Sequence, residues 1–337
     1  MTYSRRQFGK LALTSLPLAT AALSNPKILF AAGKPNSKFN GVQIGVITPY
    51  SYHNMPNDAK SLLEYMVADG INATEIHSEP IEEWAGAPKA PQMQRPAGGL
   101  GGPGRPPAQP NAARAPRVIT PEQKAHAESV NAWRLSTPPA KFEEFRKWYA
   151  DAGVSIYGFK LGLTNEMSDE LYDWTFNVTK VLGANQLTME MPDGDSALTA
   201  RIGKFAAKHK MMVGYHAHLQ AKPDTWDEAM SQSPYNGINI DMGHYTAAGN
   251  TDQVAFLKKN YARITSMHLK DRKSPAHGEA NMPWGEGDTP IKELLQTMKK
   301  EGYKFEATIE LEYPVPADST SGKEVVKCLN YCKAALA

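Results

Sequence analysis

Apolar residues along this chain fall into short dense runs, separated by longer stretches in which they recur every three or four positions. The dense runs occupy 41–47 (GVQIGVI), 73–77 (ATEIH), 154–160 (VSIYGFK), 186–191 (QLTMEM), 211–219 (MMVGYHAHL), 238–242 (INIDM), 264–269 (ITSMHL) and 305–313 (FEATIELEY). Their length and β-branched content predict strands. The intervening stretches 59–69, 142–152, 169–182, 198–208, 224–232, 253–261 and 291–301 carry the helical period. Strand and helix alternating eight times predict an α/β fold, a (β/α)8 TIM barrel in a single domain over 39–336. A doubly wound open sheet is the alternative. It lacks its usual mark, since the first strand and turn, GVQIGVITPYSY, hold no G-x-G-x-x-G.

One segment breaks the alternation. Residues 82–123 are rich in Pro, Gly, Ala and Arg and cannot bury a core, so they are expected to form a long loop insertion after the second strand. In a barrel that loop leaves the face that carries active sites, as a mobile lid or as a neutral insertion. Arg95, Arg105, Arg114 and Arg117 are charges that a lid would present to an anionic substrate and a solvated loop would equally tolerate.

Charge excludes one class of partner. The 337 residues hold 37 Lys plus Arg against 35 Asp plus Glu, with no basic block, so no nucleic-acid partner is expected. Cys328 and Cys332 lie four apart in a helical pattern, KEVVKCLNYCKAAL, which orients them poorly for a disulfide and offers no second pair for zinc. At the N-terminus, Arg5 and Arg6 precede a modest apolar run over 11–23, too short for a membrane span. The order S-R-R-x-F-x-K resembles a twin-arginine export signal over 1–32. The resemblance implies the twin-arginine machinery as a partner, a periplasmic location and a mature protein without a transmembrane span. The oligomeric state is not legible.

Polar residues interrupt the strands near their ends: Glu190 in the fourth, Asp241 in the sixth, His268 in the seventh, Glu310 and Glu312 in the eighth. Burying such groups is costly unless they are paired or bind a metal. Carboxylates with an imidazole suit one divalent ion such as Mn, Co, Mg or Zn. Asp241 and His244 form a D-x-x-H that a simple helix cap would also explain. By alternation His216 and His218 share a face, as substrate-binding groups or as satisfied core residues. Glu75 and Lys160 end their strands similarly, and one or both are expected to reach a bound substrate, Lys160 pairing with the acidic cluster if it faces it. Trp284 and Glu286, in PWGEGD after the seventh strand, are expected to cover and bind a substrate ring, with rim packing and a helix-cap partner as the alternatives.

The motifs TMEM, NIDMGH, SMHLKDR, MPWGEGD and ATIELEYP resemble the xylose-isomerase-like barrel superfamily of sugar isomerases and epimerases. The resemblance implies Glu190, Asp241, His268 and Glu310 as metal ligands and Glu190 and Glu310 as the proton-transfer pair. It also implies His244 and Arg272 as contacts to substrate oxygens. IELE offers two glutamates on one face; position in the motif favours Glu310 as ligand and leaves Glu312 beside it. The implied chemistry is proton abstraction next to a metal-bound carbonyl of a small-molecule carbohydrate, giving isomerisation or epimerisation. Export favours a non-phosphorylated keto sugar. A lyase or dehydratase acting on a keto-glycoside or inosose-like substrate shares the first half-step, and a sugar-binding barrel without catalysis is the third reading. The superfamily's DNA-repair branch is disfavoured by the lack of a basic groove.

Overall fold

Eight parallel strands pair in sequence and close into a ring. In the computed structural model, which describes residues 34–89 and 120–337, they are β1 (Val42–Thr48), β2 (Ala73–His77), β3 (Ser155–Lys160), β4 (Gln186–Glu190), β5 (Met212–His216), β6 (Asn236–Asp241), β7 (Ile264–Leu269) and β8 (Glu306–Ile309). Each pairs in parallel with its successor, and β8 returns to β1 through Ala307↔Ile44, Thr308↔Gly45 and Ile309↔Val46. The result is a (β/α)8-type barrel. Strands covered on both faces read as near-continuous apolar runs, which is why all eight were visible in the sequence.

The outer helices bury one stripe each. Ile291–Glu301 turns Ile291, Leu294, Leu295 and Met298 inward at helical spacing and ends at Gly302, whose φ of 70° terminates it. Ser321–Leu336 buries Cys328 and Cys332, which remain free thiols, as packing residues. No helix among the described residues is long and apolar enough to cross a membrane.

The structure departs from the expected loop at both edges of 82–123. Ser78–Trp84 and Pro121–Ser136 are helical. Thr120 and Gln123 cap the second helix reciprocally and Pro121 opens it, so the turn chemistry outweighs the composition of its neighbours. Glu82 is buried rather than part of a loop: Arg134 grips it through Nε at 2.7 Å and Nη2 at 3.0 Å. Residues 90–119, with Arg95, Arg105, Arg114 and Arg117, lie outside the described residues, as does the export signal expected at 1–32.

Side chains fill the barrel interior. Tyr157 of β3 crosses to Thr308 of β8, oxygen to oxygen at 2.5 Å, in space that Gly45 leaves open. Gln186 of β4 donates to the Thr265 carbonyl at 2.9 Å, and Gly214 of β5 faces them both. A Cβ at 214 would overlap Thr265 Oγ1 and approach Asn239 Cβ to 3.1 Å. Gly214→Ala is therefore expected to destabilise the fold by about 1–3 kcal/mol through overpacking. Urea unfolding checks this, and a midpoint equal to wild type would contradict it.

Candidate metal centre

The C-terminal ends of the strands bring the chemistry together. Register sets Glu190 beside His216 and Asp241 beside His268, so these four groups stand at one level of the barrel mouth. Among the described residues, His216, Asp241, His268 and Glu310 each offer one ligand atom, all within 4.8 Å of one another and all buried. Two imidazoles and two carboxylates form a mixed nitrogen and oxygen donor set suited to a divalent transition ion.

Asp241 answers the D-x-x-H question in both of its senses. Its Oδ1 accepts from the His244 amide at 2.7 Å and caps the short helix Met242–Ala247, which begins directly after β6. Its Oδ2 is fully buried and has no hydrogen-bond partner. The Lys270 ammonium lies 2.9 Å from that oxygen without hydrogen-bonding alignment, an electrostatic contact only. Burial outweighs this cation and pushes the Asp241 carboxyl up to about 7. An orphaned carboxylate oxygen inside a four-donor cluster is the observation that fits a metal.

The other members have their second atoms occupied. His216 Nδ1 meets Asn239 Oδ1 at 3.1 Å, which fixes its proton there and turns the Nε2 lone pair toward the cluster. Burial first, then the Lys160 charge, holds His216 well below the usual imidazole range and keeps it neutral. His268 is gripped from both sides, Nδ1 by Glu310 Oε2 at 2.7 Å and Nε2 by Glu75 Oε2 at 2.9 Å. Burial opposes its charge, yet Glu75 and Glu310 outweigh burial and raise it to about 10. Five carboxylates, Glu75, Glu190, Asp241, Glu310 and Glu312, face three cations, Lys160, Lys270 and the protonated His268, across these contacts. The excess of negative charge favours a dication.

Two residues differ in place from the expected set. Glu190 stands outside the four-group cluster: half-exposed at the end of β4, it pairs with Lys160 Nζ at 2.8 Å and His218 Nε2 at 3.3 Å. His216 takes its position among the donors. Glu75, expected at the sugar, has no exposed surface and sits beneath His268, accepting from Thr188 Oγ1 at 2.7 Å and Asn239 Nδ2 at 3.1 Å. The strand ends two residues higher, at His77, so position 75 belongs to the packed interior.

The remaining expected residues divide between mouth and rim. Lys160 pairs with the acidic groups as expected, while His218 lies past the end of β5, exposed, its ring centroid 4.6 Å from that of His244. His244 Nδ1 meets Arg272 Nη1 at 2.7 Å, and the guanidinium is anchored on the Glu279 carbonyl. Trp284 packs edge-on against Tyr331 of the C-terminal helix, ring centroids 5.9 Å apart, the arrangement of a rim packing residue. Glu286 is exposed and its carbonyl accepts from Lys273. Glu312 binds Lys270 at 2.9 Å and accepts from Tyr50 Oη at 2.6 Å.

Three groups escaped the sequence reading. Lys270 follows His268 by two and so shares its face, a signal that alternation contained. Asn239, inside β6, bridges Glu75 and His216. Asp271 holds the PWGEGD loop by accepting from the amides of Gly285, Gly287 and Thr289 at 2.8, 2.9 and 3.2 Å.

Residues 197–332 match the family described as Xylose isomerase-like TIM barrel, a span that contains all four donors of the cluster. Over those residues the chain is similar to xylose-isomerase-like barrels. Curated relatives named L-ribulose-5-phosphate 3-epimerase UlaE, from Escherichia coli and Shigella flexneri, are 25% identical over 186 residues, 55% of this chain. The match spans 56% of the length of those relatives. A solved structure of the IOLI protein with a zinc atom superposes with a TM-score of 0.57 at 10% identity, covering 88% of this chain and 98% of that one. The probable 3-DHS dehydratase AsbF of Bacillus anthracis superposes with a TM-score of 0.54 at 13% identity, over 88% and 97%. At such identities the structures show a shared fold, and the reaction of this chain has to be argued from its own barrel mouth.

Proposed function

We propose that this barrel is a divalent-metal-dependent isomerase or epimerase of a non-phosphorylated keto sugar, acting by proton abstraction next to a carbonyl. The observation that carries the reading is the buried cluster of His216, Asp241, His268 and Glu310 with the orphaned Asp241 oxygen. A bound divalent ion would supply Lewis-acid polarisation of the carbonyl, without which the neighbouring C–H is too weak an acid for a carboxylate.

The chain's own residues then divide the work. Glu310, braced by His268 on one oxygen, is the carboxylate that takes the proton. Glu190, half-exposed and oriented by Lys160 and His218, is the second carboxylate and returns a proton. This gives the two glutamates different tasks, with Glu190 free of the metal. His218, His244 and Arg272 supply hydrogen bonds to hydroxyl oxygens. The name of the UlaE relatives supports 3-epimerisation, and the export-like start supports a substrate without the phosphate that their name carries.

One observation favours a lyase on a keto-glycoside as the second reading. Two cavities of about 300 Å³ flank the mouth, one lined by Tyr50, His77 and Glu79, the other by Asp193, Gln220 and Lys222. They offer room for an aglycone. Metal-loaded protein incubated in deuterated buffer with free ketoses and keto-glycosides separates the readings. Deuterium in an epimer or isomer is expected; aglycone release would establish the lyase, and binding without any exchange would leave a non-catalytic sugar-binding barrel.

A further inference from the structure

Lys270 lies at the point where the carboxylates of the mouth converge. Its buried ammonium is 2.9 Å from Asp241 Oδ2, 3.1 Å from Glu310 Oε1 and 2.9 Å from Glu312 Oε2. Asp241 and Glu310 also belong to the four-donor set, whereas Glu312 does not. An ammonium and a divalent ion therefore draw on the same carboxylates. A second cation among these carboxylates would repel the ammonium.

His244 loosens the lysine's hold. Its Nδ1 lies 2.7 Å from Arg272 Nη1 and its Nε2 3.1 Å from Lys270 Nζ. Both neighbours are donors without acceptor capacity, while a neutral imidazole accepts on one nitrogen only. Arg272 makes the shorter contact and is anchored by two further bonds to the Glu279 carbonyl, at 3.1 and 2.6 Å. Lys270 is thus the cation left facing an N–H.

The stem of Lys270 is confined even so. It runs across Gly243, where a Cβ would overlap Cγ and lie 3.1 Å from Cδ. Movement is restricted to the tip of the side chain. Glu312, fixed by the Tyr50 hydroxyl at 2.6 Å, is the one carboxylate of the three that a metal does not claim.

We propose, resting on the metal-centre reading, that Lys270 is a tethered counter-cation. It neutralises Asp241 and Glu310 until a divalent ion loads, then yields both and stays on Glu312 with its ammonium directed to a substrate oxygen.

Titrating purified wild-type and Lys270→Met proteins with Mn²⁺ and Co²⁺ tests this by the sign of the change. A competitor removed should tighten metal binding at least about tenfold. A lysine that merely clamps the carboxylates would, on removal, loosen them and weaken binding. Equal or weaker affinity in folded K270M overturns the proposal. A second measurement uses wild type alone: acylation of Lys270 by an amine-reactive reagent, read by peptide mass spectrometry, should increase on metal loading, and unchanged labelling counts against release. If neither protein binds an ion, the metal-centre reading falls with it. If wild type binds and K270M binds no tighter, only the role of Lys270 is lost.

Discussion

A Glu310→Gln protein is expected to fold and to lose roughly 10²–10⁴-fold in turnover, the contribution typical of a general base. Glutamine keeps the size of the side chain and one oxygen able to coordinate, so metal is retained at reduced affinity while the base is gone. Glu310 Oε2 lies 2.7 Å from His268 Nδ1, which holds its carboxylate in place at the mouth. The same burial and partners push its carboxyl in opposite directions: burial raises it, and the Lys270 and His268 charges win and hold it well below the usual range. Glu312→Gln is the control. That residue touches Lys270 and Tyr50 but no member of the donor set other than through the lysine, so its loss should be far smaller. Solvent-deuterium exchange into substrate, measured alongside metal content, separates the two. Abolition of exchange in E312Q with exchange intact in E310Q would move the base two residues along the strand.

Much of the barrel was legible because parallel strands are buried on both faces and their apolar runs are bounded by helix-period stretches. The site was legible where a charge interrupts such a run, as at Asp241, His268 and Glu310. It was less so where the level of a residue within the barrel decides its role. Glu75 and Glu190 are both glutamates at strand ends in the sequence. Two residues of difference in depth make one a fully buried acceptor and leave the other half-exposed. His216 could be placed on the inward face by alternation, but only the pairing of Glu190 with His216 across β4 and β5 shows that the imidazole reaches the cluster while the carboxylate turns to Lys160. Helices such as Pro121–Ser136 were hidden for a different reason. None of its residues is buried, so it carries no apolar stripe to betray it.

Glu75→Gln is expected to weaken divalent-metal affinity by roughly 10- to 100-fold, the range typical when a partner of a ligating histidine is removed. The argument runs through a tautomer. His268 turns Nδ1 toward Glu310 and the donor set, so that nitrogen must be unprotonated to bind an ion, and the ring proton must then sit on Nε2. Glu75 Oε2, 2.9 Å away, is the acceptor that holds it there. Thr188 and Asn239 donate to the same carboxylate, so it cannot turn aside. Glutamine preserves shape and one acceptor oxygen but removes the negative charge, and its amide N–H₂ has to face groups that are themselves donors. The variant is therefore a test of charge and tautomer rather than of packing, provided its melting temperature stays near that of wild type. Nitrogen-15 spectra of the histidine rings in zinc-loaded protein report where the proton resides. Wild type should show His268 protonated at Nε2, and E75Q a mixture. Wild-type metal affinity with an unchanged His268 signal in E75Q would reduce Glu75 to a filler of the barrel interior and leave the orientation of His268 to Glu310 alone.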